Sequence, residues 1–550
     1  MMSPRFVSSL VFALTAAGLA GPAFGDSSLG GFLHNRTAYI PPQCYTKTLD
    51  DVGRAHNPCF TCHLRARRPN FINDPDLQLS YAFPGPALSN PWSNLFEDRR
   101  GRVAAIGDEE ILSYIRTSNY QAPDGSLILA GRLADVPPGW DVDGDGIWGG
   151  YTPDCHFRFD DAGFDIAPDG TPTGWRAFAY TPLPGSFSPA SGSTDDVLIR
   201  LPEAYRQNAS GEPDQAIYEI NLAIVEALIA RRDVSIAPAD EKGLGVDLDR
   251  NGSLGTAEKV VFDWAPLKGH DMSYVGRART LQEEGKAPLA AGLFPLGTEF
   301  LHTVRYVDVD DAGEVRMAAR LKELRYMRKT AWQTYADLED GALEEIKEDH
   351  DFPDRVSLFD GNREVGIANG TGWRLQGFIE DRDGALRPQS FEETVFCIGC
   401  HGGIGVNDDS TLAFARKLEK PFGGWFHWSR HGLRGIPDPK RPDGSGEYAR
   451  YLAENGAGDE FRDNAEIIQA FIGEDGKPDE AALAAMAEDL ATILYPSRAR
   501  ALALNKAYRT IVMDQDFVKG RDPNLAPAVN VHREVEIDEE TGIKEAVARW

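Results

Sequence analysis

Two short runs carry the clearest chemistry in this 550-residue chain: Cys59-Phe60-Thr61-Cys62-His63 and Cys397-Ile398-Gly399-Cys400-His401. Both match Cys-x-x-Cys-His, the attachment sequence for a c-type haem. In that chemistry two thiols add to the vinyl groups on one porphyrin edge, and the adjacent imidazole becomes the proximal iron ligand. The chain has 6 cysteines and 11 histidines, too few for two such runs to be expected by chance. The same residues leave other uses open. These are a redox thiol pair, a zinc site built from both Cys-x-x-Cys pairs, and a strained disulfide inside each pair.

On these ten motif residues and an export signal, the chain resembles a di-haem c-type cytochrome. In plan it is similar to di-haem cytochrome c peroxidases and rubber-cleaving di-haem oxygenases, although the motifs here lie much further apart. The resemblance implies two covalent haems and electron transfer with a redox partner protein or a small-molecule donor or acceptor. A di-haem peroxidase- or oxygenase-like enzyme with one open iron is the alternative, so an oxidoreductase activity stays open. A carrier needs a second ligand on each iron. The candidates are His431, in an aromatic run after the second motif, His56 and His302. His56 precedes Cys59 too closely to arch over its own haem, but could serve another.

Cys44 and Cys155 remain as a candidate disulfide, since a leftover pair in an exported protein is normally oxidised. A free or ligating Cys155 beside His156 is the other reading.

Acidic loops suggest calcium. In the run Asp247 to Glu258, Asp247, Asp249 and Asn251 hold positions 1, 3 and 5 of an EF-hand loop, and Gly252 supplies the turn. Ser253 would give its carbonyl at position 7 and Glu258 would be bidentate at 12. Asp141, Asp143 and Asp145 repeat the start of this pattern ahead of Gly146. Position 12 is Thr152, leaving a second calcium site or a solvated Asp-Gly turn, with Asp154 as a substitute ligand.

Residues 1–25 read as a cleaved export signal, with Arg5, an apolar run and Ala23-Phe24-Gly25 before Asp26. A periplasmic or secreted protein without a membrane span in the mature chain is expected. The net charge of -28 argues against nucleic acid as a partner.

The expected fold is mainly α with irregular loops and minor β (α+β): haem-binding ends, 26–137 and 388–550, around a loop-rich middle, 138–387. Helical spacing predicts helices over 108–117, 214–231 and 316–336, the last with a basic face of Arg320, Lys322, Arg325, Arg328 and Lys329. Three more follow over 460–472, 478–494 and 497–512, with Asp479 and Ser497 as N-caps. Thr303 to Val307 suits a strand entering a turn at Asp310 to Gly313. Thr173-Gly174-Trp175-Arg176 is echoed by Thr371-Gly372-Trp373-Arg374.

Overall fold

In the computed structural model the described residues are 33–178, 180–418, 427–430, 432–456 and 464–549. The export signal therefore lies outside them, as does His431.

The centre of the molecule is a nine-stranded antiparallel sheet. Its strands are β1 (Phe164–Ile166), β2 (Pro172–Phe178), β3 (Thr194–Arg200), β6 (Glu299–Val309), β7 (Val315–Lys329), β8 (Gly361–Asn362), β9 (Gly366–Ala368), β10 (Trp373–Glu380) and β11 (Leu386–Pro388). They run in the order β1-β2-β3-β6-β7-β10-β9-β8, with β11 on β10, while β4 (Val234–Asp240) and β5 (Thr256–Val260) pair apart. This sheet overturns the mainly-α expectation.

The error is sharpest at 316–336. Its cations recur at helical spacing, yet most of the segment is β7, the sheet's longest strand. A central strand covered on both faces loses the two-residue alternation that would betray it. Cations of its basic face enter buried polar networks: Lys322 donates to Gly192 O and to Ser193 Oγ, and Arg320 donates to Glu380. The β6–β7 hairpin turns at Asp310 to Gly313 as expected, with Gly313 N–H bonded to Asp310 O.

The other local signals fare better. Helices span Asp108–Arg116 and Gln215–Ala230, the latter almost wholly buried. Asp479 and Ser497 cap Glu480–Glu488 and Arg498–Asp514 through Ala482 N–H and Arg500 N–H. The Thr-Gly-Trp-Arg echo is structural too. Both copies enter strands, β2 and β10, with Gly174 and Gly372 at positive φ and both Trp rings buried. The irregular N-terminal segment is stitched to the C-terminal one by bridges such as Thr46 to Val531 and Ser89 to Glu534.

Glu380 closes β10 in full burial. It accepts from Tyr114 and Tyr306 hydroxyls, each at 2.6 Å, and from Arg320 at 3.2 Å. Burial raises its carboxyl from 4.5 to about 7, against the pull of those donors. The folded protein thus holds this proton more tightly than the unfolded chain does. The contribution is full below the unfolded value and fades as pH rises from 4.5 to about 7. We expect the native protein's Tm to fall from about pH 5 to about pH 8 by more than that of Glu380→Gln, the difference corresponding to about 3 kcal/mol at most. Parallel melting curves for the two proteins would disprove it.

Candidate thiol–imidazole centre

The fold brings the two Cys-x-x-Cys-His motifs together. Cys59 sits in a short 3₁₀ turn, Pro58–Thr61, while Ile398–His401 is one helical turn following the capped helix Phe391–Val395. Between them stands Asp74, almost fully buried. Its Oδ2 accepts from His63 Nδ1 at 2.9 Å, and its Oδ1 accepts from Gly405 N–H at 3.0 Å. Val406 N–H donates to Cys62 O at 3.2 Å, and Asn70 Nδ2 donates to Ile404 O at 2.7 Å. A Cβ on Gly405 would lie 1.7 Å from Leu64 O, so this approach requires glycine.

Each imidazole is oriented by its Nδ1. His63 Nδ1–H faces Asp74, and His401 Nδ1–H donates to Ser410 O at 3.0 Å. That assigns the proton to Nδ1 and leaves both Nε2 lone pairs for a ligand. Burial, before the nearby charges of His302 and Arg325, lowers His401 to about 4, so it is neutral at pH 7. The acceptor Ser410 lies in a tight turn where Asp409 and Ser410 both have positive φ, at 51° and 59°. Two successive left-handed residues cost about 1 kcal/mol or more each. The turn is pinned by the buried Lys329–Asp409 ion pair at the end of β7 and by Phe294 N–H on the same carboxylate.

The thiols surround this junction. Cys397 is buried and its thiol is pushed up by burial, with Arg325 pulling it back; Cys400 reaches the surface. Cys44 feels Cys59, Cys62 and Cys400, so it belongs with the motif thiols. Cys155 lies instead in the sheet cluster with Tyr120, whose hydroxyl donates to its carbonyl. Both are free thiols, and the Cys44–Cys155 disulfide is not formed. Among the described residues the only groups of three or more ligand atoms within 4.8 Å of one another are the two acidic loops, so the motif thiols form no ready-made zinc site.

Of the second-ligand candidates, His56 has both nitrogens engaged, Nδ1 with Glu454 O and Nε2 with Asp50. His302 lies on β6 directly across from Arg325 on β7. Its Nε2 is 3.3 Å from Asp195 but misaligned, and finds no hydrogen-bond partner.

Each acidic loop draws its aspartates together. Asp247 accepts from Asn251 and Gly252 amides, and Asn251 Oδ1 accepts from Ser253 N–H. Glu258 is exposed on β5, away from the group. The third carboxylate is Glu241, fully buried and grouped with Asp247 and Asp249. It accepts from Leu248 N–H at 2.6 Å and Gly255 N–H at 2.8 Å. Asp141, Asp143 and Asp145 also group together. There the buried Glu364 accepts from Val142 N–H and Gly149 N–H, each at 2.8 Å. Asp154 is elsewhere, between Trp175 and Arg200. Neither glutamate was legible: one precedes its loop and the other lies on the distant β8–β9 hairpin.

A lipoprotein-like family model matches residues 30–490. The chain belongs to that lipoprotein family. An "Uncharacterized lipoprotein" of Aquifex aeolicus (strain VF5) is 32% identical, the match covering 98% of this chain and 95% of the relative. No solved structure matches. These findings overturn the di-haem c-type cytochrome resemblance, and with it the electron carrier and the peroxidase- or oxygenase-like alternative. Ten motif residues specify a local chemistry and constrain no fold. Membership fits an exported, membrane-anchored or surface protein, and no described helix is long and apolar enough to cross a membrane.

Because Asp74 serves both motifs, Asp74→Asn must lose one acceptor. We expect it to lower stability by about 2 kcal/mol and to speed hydrogen exchange at the Gly405 amide. Native-like protection there would show that the carboxylate does not join the motifs.

Proposed function

We propose that this lipoprotein-family protein is an exported, calcium-braced binding protein whose joined Cys-x-x-Cys-His motifs hold a covalently attached cofactor. The observation that carries the reading is the orientation of His63 and His401, each with Nδ1 committed and Nε2 left open beside two thiols. That is how a ligating imidazole is prepared. The donor set fits haem c, which the two thiols of each motif would hold covalently and its imidazole, His63 or His401, would ligate. The chain's own residues orient the imidazoles, exclude water from Cys397 and fix the distance between the motifs.

The test is direct. Isolated from an exporting host able to attach haem c, the intact chain should carry two covalent groups by mass and by its alkaline pyridine spectrum. Cys59→Ser/Cys62→Ser should carry one. An unmodified native chain rejects the reading.

Calcium is proposed at both loops, supported by the grouped carboxylates and by the buried glutamate that braces each. Chelation should lower the Tm, Glu241→Gln should remove most of that effect at its loop, and Glu258→Gln should leave it intact. Identical melting with and without chelator rules calcium out.

A further inference from the structure

Next to the second motif the sheet presents two buried polar atoms that the protein itself leaves unsatisfied: His302 Nε2 and Arg325 Nη2. Such atoms are costly when no partner is supplied. The two residues face each other across β6 and β7 and so share one side of the sheet. Aromatic rings tie them to the motif. Arg325 lies 4.6 Å over Phe187 and 5.9 Å from Phe396, the residue before Cys397, while His302 packs on Phe187 at 5.9 Å. Arg325 is close enough for its charge to act on Cys397, Cys400 and His401, and His302 lies within electrostatic reach of His401.

Arg325 does not hang in this position by chance. Its Nε donates to Glu323 at 3.0 Å, and the same carboxylate is held by Arg521 at 2.7 Å and Gln389 at 3.0 Å. Glu323 is thus satisfied without the rest of the Arg325 fork, which is free to face the motif. Asp195 lies 3.3 Å from His302 Nε2 without completing a hydrogen bond to it, and the buried Glu323 is also within electrostatic reach of His302.

We propose that His302 and Arg325 form the ligand-reading wall of the Cys397–His401 site: His302 supplies a second imidazole to the metal of the bound group, and Arg325 pairs with an acidic substituent on it. The site therefore selects a metal-bearing ligand with carboxylates on its rim. This rests on the covalent haem reading above and adds the residues that complete one of its two sites.

The experiment uses the intact exported chain and two signals. Covalent haem per chain reports the reading itself, and the absorption and electron paramagnetic spectra report the wall. In His302→Ala and in His302→Gln, haem content should stay at the native level while one of the two groups passes from low spin to high spin. Added imidazole should restore it. Arg325→Met should keep the content and spin state yet lower the reduction potential of that group, because a cation beside it is removed. Native-level haem with unchanged spectra in both His302 variants overturns the imidazole assignment, and an unchanged potential in Arg325→Met overturns the carboxylate pairing. A native chain without haem fails the reading, not the wall alone.

Discussion

The carboxylate of Asp74 is the point on which the centre depends. It is nearly buried, and a buried carboxylate is costly unless charge-assisted hydrogen bonds replace its water. Here one oxygen takes His63 Nδ1–H and the other takes the Gly405 amide. Satisfying Asp74 therefore requires both motifs to be present at once. The long interval of chain between them becomes a closed loop, whose entropic cost grows only slowly with length. A middle region of this size can be inserted between the motifs without pulling them apart.

From the other side the sheet does the same for the second motif. Lys329 ends β7 and meets Asp409 in a dry environment, where one charge without the other would be expensive. The pair holds a turn that neither Asp409 nor Ser410 would choose alone, and the turn's carbonyl sets the His401 tautomer. The path from strand to imidazole is thus one ion pair, two left-handed residues and one hydrogen bond. Three more cations of β7 are engaged similarly: Arg325 with Glu323, Arg320 with Glu380, Lys322 with Gly192 and Ser193.

That use of charge explains where the sequence could be read and where it misled. Caps and short helices were legible because Asp479, Ser497 and the apolar face of Gln215–Ala230 act within a few residues of themselves. The motifs were legible as chemistry for the same reason. The basic run of β7 reads as a helix face in sequence because acidic partners such as Glu380 and Asp409 lie far away along the chain, and Glu323, inside the run, gives no sign that Arg521 joins it. No local pattern reports such pairings. The meeting of the two motifs was equally hidden, since it rests on one aspartate eleven residues past His63 that matches no motif.

The acidic loops show how far one local device can depend on a distant residue. In each, a buried glutamate binds the amides at loop positions 2 and 9: Glu241 takes Leu248 and Gly255, Glu364 takes Val142 and Gly149. Counting from Asp247 and Asp141, the two clamps are the same. An EF-hand closes its loop with the carboxylate at position 12, because that residue both ends the loop and binds the ion. Once positions 2 and 9 are already drawn together from outside, closure no longer needs position 12. Glu258 can then turn to solvent on β5, and Thr152 can occupy the corresponding place in the other loop. The two loops, so different by that criterion in sequence, are one structural solution reached with glutamates from opposite directions along the chain.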